Sequence, residues 1–349
     1  MRLRRSFPVN GEPLALAIGN FDGVHLGHQA ILAATRRAAT RLQASAAAMT
    51  FSPLPREYFA KHAKHATYAN HANHTNHGGE PVQAPSRLMS VTEKLAAFSD
   101  AGIEQSLVLR FDAAFASQSP ESFLQALKRS NVRWLMVGED FRFGAKRAGD
   151  IHALRAFGQQ HGITVETLSD VTTPSGQRIS SSAIREALRD GQLVAATAML
   201  GRPYAIVGRV THGKKLGRTL GFATANVALT GRKPALSGVF AVKCRLVTRG
   251  LEGVAELGKC EVGQILDGVA NLGTNPVVST ENRQHLEVFL FDFSGDLYGK
   301  RVQVSFIEKI RDERNFASKD PLGELVTQMH DDTARAKAIL SRMKDERPK

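Results

Sequence analysis

Along the first half of the chain, short apolar runs alternate with stretches whose apolar positions recur every three to four residues. Residues 14–20 (LALAIGN) read as a strand ending in Gly-Asn, and FDGVHLGHQAILAATRRAATRL behind them carries helical spacing. The pair predicts a strand, a glycine-rich turn and a helix. Further strand-like runs lie at 47–51, 106–109 and 134–137, with a weaker one at 163–168. Between them SVTEKLAAFSDAG predicts a helix with Ser90 or Thr92 as N-cap and Gly102 past its end, and SPESFLQALKRSN predicts another. Strands alternating with helices over about 185 residues predict an α/β unit with a doubly wound parallel sheet.

After Gly191 the pattern changes. From Tyr204 onward the chain reads AIVGRVTHG, SGVFAVKCRLVT, GQILDGVANLG, QHLEVFLFDF and KRVQVSFIEKI, five β-rich runs parted by Gly-rich turns. Such spacing predicts a small antiparallel β-barrel. Residues 320–343 return to helical periodicity and supply a terminal helix that closes the barrel or packs on it. The boundary is expected near Leu188, giving domains 1–187 and 188–349, with 193–200 as a connecting helix.

The 349 residues allow two domains with real cores. No stretch approaches about 18 consecutive apolar residues, so no membrane span is expected. The basic opening MRLRR is followed by too short an apolar run for a signal peptide, and the mature protein is expected to begin near Met1. Two cysteines, Cys244 and Cys260, make neither a disulfide framework nor a metal site, so the reducing cytoplasm is the expected compartment. Lys and Arg exceed Asp and Glu by 13, which favours an anionic partner. The basic residues are spread along the chain, and with 1 Trp and 4 Tyr no aromatic-basic stacking surface for nucleic acid is visible. A low-complexity tract at 61–80 carries His62, His65, His71, His74 and His77; it reads as a surface loop, with metal chelation as the alternative.

The strongest local signal is GNFDGVHLGHQ, residues 19–29. His25 and His28 stand three apart where the strand turns into the helix, so both imidazoles can reach one side of the helix N-terminus. Free backbone N–H groups and the helix dipole there already favour a phosphate. A tight turn with two exposed histidines is the plainer reading.

This segment resembles the HxGH signature of the nucleotidyltransferase superfamily, and the Phe-Asp-Gly before it resembles the prokaryotic bifunctional riboflavin kinase/FAD synthetases. The resemblance continues in order through FSPLP (51–55), GEDFRFG (138–144), RISSSAIR (178–185), THGKKLGRTLGFATAN (211–226), LEVFLFDFSGDLYGK (286–300) and IRDERNF (310–316). For the first half it implies adenylyl transfer from ATP to FMN with release of pyrophosphate. Gly19, Phe21, Asp22, His25 and His28 would then serve ATP, His25 and His28 as donors to the phosphate oxygens. Ser181, Ser182 and Arg185 would hold the β- and γ-phosphates, and Asp140 would lie near the nucleotide. Pro53, Pro55, Phe59 and Phe143 are implied as walls for the flat flavin, although ordinary core or loop packing explains each of them as well. The family's Pro-His-Pro stands here as Pro53-Leu54-Pro55, which removes the imidazole from that loop and keeps both prolines.

For the second half the resemblance implies phosphorylation of riboflavin by ATP. Gly213, Gly217 and Gly221 punctuate a basic loop carrying Lys214, Lys215 and Arg218, suited to phosphates or to a plain turn between strands. Thr224 and Asn226, two apart and on one side of an extended segment, could ligate Mg²⁺ arriving with ATP. Ala223 replaces the proline usual in this Pro-Thr-Ala-Asn tetrad, which removes a fixed φ but no ligand. Glu287 matches the family's general base, in a strand whose apolar neighbours could raise its pKa; a surface carboxylate is the alternative. Arg311 and Arg314 are candidates for flavin or phosphate, or for helix capping. The partners implied are small molecules, ATP, riboflavin, FMN and FAD, with Mg²⁺ as cofactor and no nucleic acid or membrane, on a monomer or transient homo-oligomer. An HxGH nucleotidyltransferase for another acceptor, such as a pantetheine or nicotinamide phosphate, would leave the second half unexplained.

Overall fold

The computed structural model describes residues 1–63, 84–212, 222, 224–229, 232–247, 264–274, 284–314 and 320–345. The chain divides into two compact units, one formed by Met1–Pro85 and Val91–Ile179, the other by Ser86–Ser90 and Ser180–Lys349.

In the first unit six parallel strands form one sheet. They are β1 (Arg2–Arg4), β2 (Leu14–Ile18), β3 (Ser45–Phe51), β4 (Gln105–Leu109), β5 (Val132–Gly138) and β6 (Thr164–Leu168), in the order β1-β4-β3-β2-β5-β6. Every residue of β2, β3 and β4 is buried, as expected for parallel strands covered on both faces. Leu16, Ile18, Met49, Leu107, Leu135 and Val137 form the centre of its core. The helices are α1 (Leu26–Leu42), α2 (Pro55–Ala63), α3 (Val91–Asp100), α4 (Ala113–Ala116), α5 (Pro120–Arg129) and α6 (Ile151–His161). Ser119 caps α5 and Asp150 caps α6. Strand β1 and helices α2, α4 and α6 are additions to the sequence reading. They are short or weakly periodic, so pattern alone gave them little weight.

In the second unit α7 (Ser181–Arg189) and α8 (Leu193–Leu200) precede a closed six-stranded barrel. Its strands are β7 (Ala205–Thr211), β8 (Thr224–Val227), β9 (Gly238–Leu246), β10 (Ile265–Thr274), β11 (Gln284–Leu290) and β12 (Arg301–Arg311), closing in the order β10-β11-β8-β7-β12-β9. Along β11 Leu286, Val288 and Leu290 are buried while His285 is exposed and Glu287 and Phe289 are partly open, the alternation of a strand with one face inside a barrel. Helix α9 (Pro321–Asp345) lays Ala336, Ile339 and Leu340 against Ala241 and Phe291, with Phe289 and Ile307 at the margin. Buried Asp332 on α9 takes a two-pronged ion pair from Arg311, Nε to Oδ1 at 2.9 Å and an outer guanidinium nitrogen to Oδ2 at 2.7 Å. This pair ties the helix to β12.

Candidate functional site

The strand order of the first unit reverses between β2 and β5: from β2 the sheet runs outward through β3 and β4, from β5 through β6. Open α/β sheets bind ligands outside the carboxyl ends of strands at such a reversal. The GNFDGVHLGH loop follows β2 at this point, and exposed Asp140 follows β5.

Loop geometry is set by a buried ring. Phe21, Gly23 and Val24 take positive φ (47°, 87° and 40°), and Phe21 is fully buried, its ring edge-on to Phe98 of α3 at 5.1 Å and 5.2 Å from the ring of His28. A non-glycine residue in this region costs about 1 kcal/mol or more, which burial of a phenyl ring offsets. His25 is the N-cap of α1, and its Nδ1 accepts from the backbone N–H of His28 at 3.3 Å. The two imidazoles stack, with centroids 3.6 Å apart. A Cβ on Gly27 would stand 3.3 Å from the His25 ring, so the glycine between the histidines makes room for the stack. Asp22, buried, and Gly19, partly open, complete the loop.

His28 titrates well below the ordinary imidazole range, first because it is buried and then because His25 and Lys94 add positive charge. The ring is therefore neutral at physiological pH, and its buried Nδ1 has no hydrogen-bond partner among the described residues. Lys94 of α3 was not singled out by the sequence. Its ammonium donates to the Asn20 carbonyl at 2.6 Å and to Thr50 Oγ1 at 3.1 Å. Its signal was a lysine four residues before Phe98, on the face that the apolar pattern turns inward.

The flavin-wall candidates fall into two groups. Pro53 and Pro55 lie between β3 and α2, and α2 carries Phe59, whose ring meets Tyr58 and Phe111. Phe59 is 40% exposed, and buried Leu54 has its N–H capped by Glu57 at 2.8 Å. Phe143 instead packs between Phe123 and Phe141 as part of the core. Of the histidine tract only residues 61–63 are described; His62 lies in the last turn of α2 with Nδ1 2.7 Å from the Tyr58 carbonyl, and the rest lies outside the described residues. In the second unit Ser180 caps α7, so Ser181 and Ser182 are its first two residues. Buried Arg185 donates from Nε to the Ser86 carbonyl.

On the barrel, β8 and β11 pair antiparallel with Asn226 opposite Glu287 and Thr224 opposite Phe289. All four share one face, because alternate residues of a strand point the same way. Asn271 of β10 stands opposite Glu287 on its other side. Leu286 and Val288 are buried on the opposite face of the strand. Burial on its own face raises its carboxyl above the usual range, partly countered by His285. Phe222 packs on Phe289 and on His330 of α9, closing the apolar side of this face. Arg311 is engaged by Asp332 and by the Asp312 carbonyl, and Arg314 pairs with Glu324 at 2.6 Å. Gly213, Lys214, Lys215, Gly217, Arg218, Gly221 and Ala223 lie outside the described residues. No group of three or more His, Cys, Asp or Glu is placed to hold a metal ion among the described residues, and none of the helices searched there is long and apolar enough to cross a membrane.

Comparison with known proteins matches both halves. The FAD synthetase family model covers residues 8–183 and the riboflavin kinase family model residues 200–340. Relatives named bifunctional riboflavin kinase/FMN adenylyltransferase include those of Haemophilus influenzae, 40% identical over 94% of this chain and 94% of its own, and of Escherichia coli, 40% identical over 89% and 88%. The Pseudomonas fluorescens relative of the same name is 39% identical over 92% and 91%. A solved structure described as a macrolide-efflux protein from Streptococcus pneumoniae superposes with a TM-score of 0.70, at 26% identity over 95% of this chain and 98% of its own. Identity of this degree across both halves, on two family models that meet in one chain, makes the chain a member of the bifunctional riboflavin kinase/FMN adenylyltransferase family.

Proposed function

We propose that residues 1–187 carry adenylyl transfer and residues 188–349 the kinase step, the two reactions of this family. The protein phosphorylates riboflavin to FMN and joins FMN to the adenylyl group of ATP to give FAD. The observation that carries the division is that each half holds its own phosphate-directed set: a histidine pair on a helix N-terminus in one, a carboxylate opposite an amide on a barrel ladder in the other.

In adenylyl transfer an oxygen of the FMN phosphate attacks the α-phosphorus of ATP, the bond to the β-phosphate oxygen breaks, and pyrophosphate leaves. The attacking phosphate is already ionised, so no base is required. What the reaction needs is donors for the charge that builds on oxygen. Imidazole N–H groups of His25 and of His28, the latter kept neutral by burial, fill that role in this reading with the amides at the start of α1. Asp140 serves the nucleotide, Ser181, Ser182 and Arg185 are assigned to the β- and γ-phosphates, and Pro53, Pro55 and Phe59 to the flavin. Phe21 and Phe143, both buried, support the loops rather than touch a ligand.

In the kinase step the riboflavin 5′-oxygen attacks the γ-phosphorus, its proton passes to the Glu287 carboxylate, and ADP leaves. A carboxylate made more basic by burial suits that transfer. Thr224 and Asn226 offer two neutral hard oxygens on one face, a donor set that fits Mg²⁺ and leaves its other positions to water and phosphate. When bound, the ion draws negative charge from the phosphates. Gly213, Lys215, Gly217 and Gly221 are assigned to ATP, and Arg311, which also holds α9 to β12, to the flavin. Cysteine usage suits work in the cytoplasm.

Incubation with riboflavin, ATP and Mg²⁺, followed by chromatography, tests the reading. FMN and FAD are expected. No FMN from riboflavin would remove the second assignment, and no FAD from supplied FMN the first.

A further inference from the structure

Helix α3 carries none of the residues assigned above, yet two of its side chains meet the HxGH loop. Phe98 packs on Phe21, and Lys94, one turn earlier on the same face, reaches Asn20 and Thr50. Lys94 is only 3% exposed, so it cannot be a surface cation that happens to lie near the loop. The Asn20 carbonyl accepts from both Lys94 and the Thr50 hydroxyl, the latter at 3.0 Å, and Thr50 Oγ1 accepts from Lys94 in turn. Asn20 opens the loop that leads to His25 and His28, whereas Thr50 is three residues before Pro53. One ammonium therefore joins the segment that presents the histidines to the segment that leads to the flavin wall.

We propose that Lys94 is a positioning residue for adenylyl transfer, clamping the carboxyl ends of β2 and β3 together so that the His25–His28 pair and the Pro53–Pro55 segment keep a fixed separation. The inference rests on assigning that loop to the adenylyl-transfer site. Its buried charge has a second effect: it disfavours a proton on His28. Support of this kind, from a residue that touches no ligand, orients the groups that do, and its loss commonly costs about 10- to 100-fold.

The test uses the full chain with Lys94→Met, which keeps length and volume but removes the ammonium. FAD formation from supplied FMN is measured across the range in which imidazole titrates, with riboflavin phosphorylation in the same preparation as control. The expected result is a fall of about 10- to 100-fold in kcat with little change in KM, and an acid limb displaced to higher pH. Riboflavin phosphorylation should be unchanged. A folded Lys94→Met enzyme with the parent kcat and the parent pH profile overturns the proposal. So does a loss of kcat with an unmoved acid limb that Lys94→Arg fails to restore even in part. Should Lys94→Met not fold, Thr50→Val carries the test: a several-fold fall in FAD formation supports the clamp, and parent activity overturns it. The parent enzyme keeps the two readings apart, because failure to form FAD from FMN there removes the site assignment itself, whatever the Lys94 variants do.

Discussion

The two halves solve opposite problems with the same physical means. In the sheet unit burial holds His28 below the imidazole range, and in the barrel burial lifts Glu287 above the carboxylate range. Desolvation disfavours whichever form carries charge, so it keeps a base neutral and makes an acid more reluctant to ionise. Adenylyl transfer begins from an ionised phosphate and gains from neutral donors, whereas the kinase step begins from a hydroxyl and gains from a more basic acceptor. Their frames differ too. The histidines sit on one loop and one helix turn, three residues apart, while Glu287 and Asn226 lie far apart in sequence and meet only through strand register.

If the halves differ in this way, single changes should separate them. Glu287→Gln keeps size and hydrogen bonding but cannot take the proton, so riboflavin phosphorylation should fall about 10²- to 10⁴-fold, measured as FMN formed. FAD formation from supplied FMN should stay at the parent rate; a fall in both would mean that the halves are coupled. His28→Ala removes one donor to the building charge and should lower FAD formation by about 10²- to 10³-fold while FMN formation persists. Equal activity with and without the imidazole would break the comparison on its first side.

A smaller effect concerns the ion pair that fastens α9. Asp332→Ala leaves the Arg311 guanidinium without its carboxylate in a largely buried place and should destabilise the barrel unit by about 1–3 kcal/mol. Hydrogen exchange in β12 reads this without interference from the sheet unit. Kinase activity should fall far less than in Glu287→Gln, since Arg311 acts through the helix.

The smallest effects are the pH dependences of stability, and they have opposite signs. The unfolded chain protonates His28 near 6.5 and the folded chain only well below that, so the unfolded state binds more protons in between and stability falls as pH drops through that window. For Glu287 the folded state binds more protons above 4.5, so stability falls as pH rises from there through the raised value. Hydrogen exchange in each unit should show His28→Gln flattening the fall below 6.5 in the sheet unit and Glu287→Gln flattening the fall above 4.5 in the barrel. The same sign in both would refute the opposition drawn above.

Much of this was legible in sequence wherever the determining interactions are local. The strand, turn and helix around residues 14–42 follow from apolar spacing and from glycines at the turn, and the structure has β2, the loop and α1 there. The connecting helix at 193–200 and the terminal helix were visible for the same reason. Strand β8 was harder to read, since four residues with one buried position carry almost no pattern. Phe143 was the opposite case: its motif suits a ligand wall or core packing equally, and only the structure shows its ring packed against Phe123 and Phe141.

By itself the sequence determined that one half would be a doubly wound sheet and the other a barrel, that His25 and His28 would share a helix N-terminus, and that Thr224 and Asn226 would face one way. Each of these depends on residues a few positions apart, where helix and strand periods set the geometry. Tertiary structure alone decided that Asn226 stands opposite Glu287, that Arg311 is spent on Asp332, and that Lys94 lies under the histidine loop. Those pairings depend on strand register and on the packing of distant elements, and neither the period nor the composition of a segment records which distant residue it will meet.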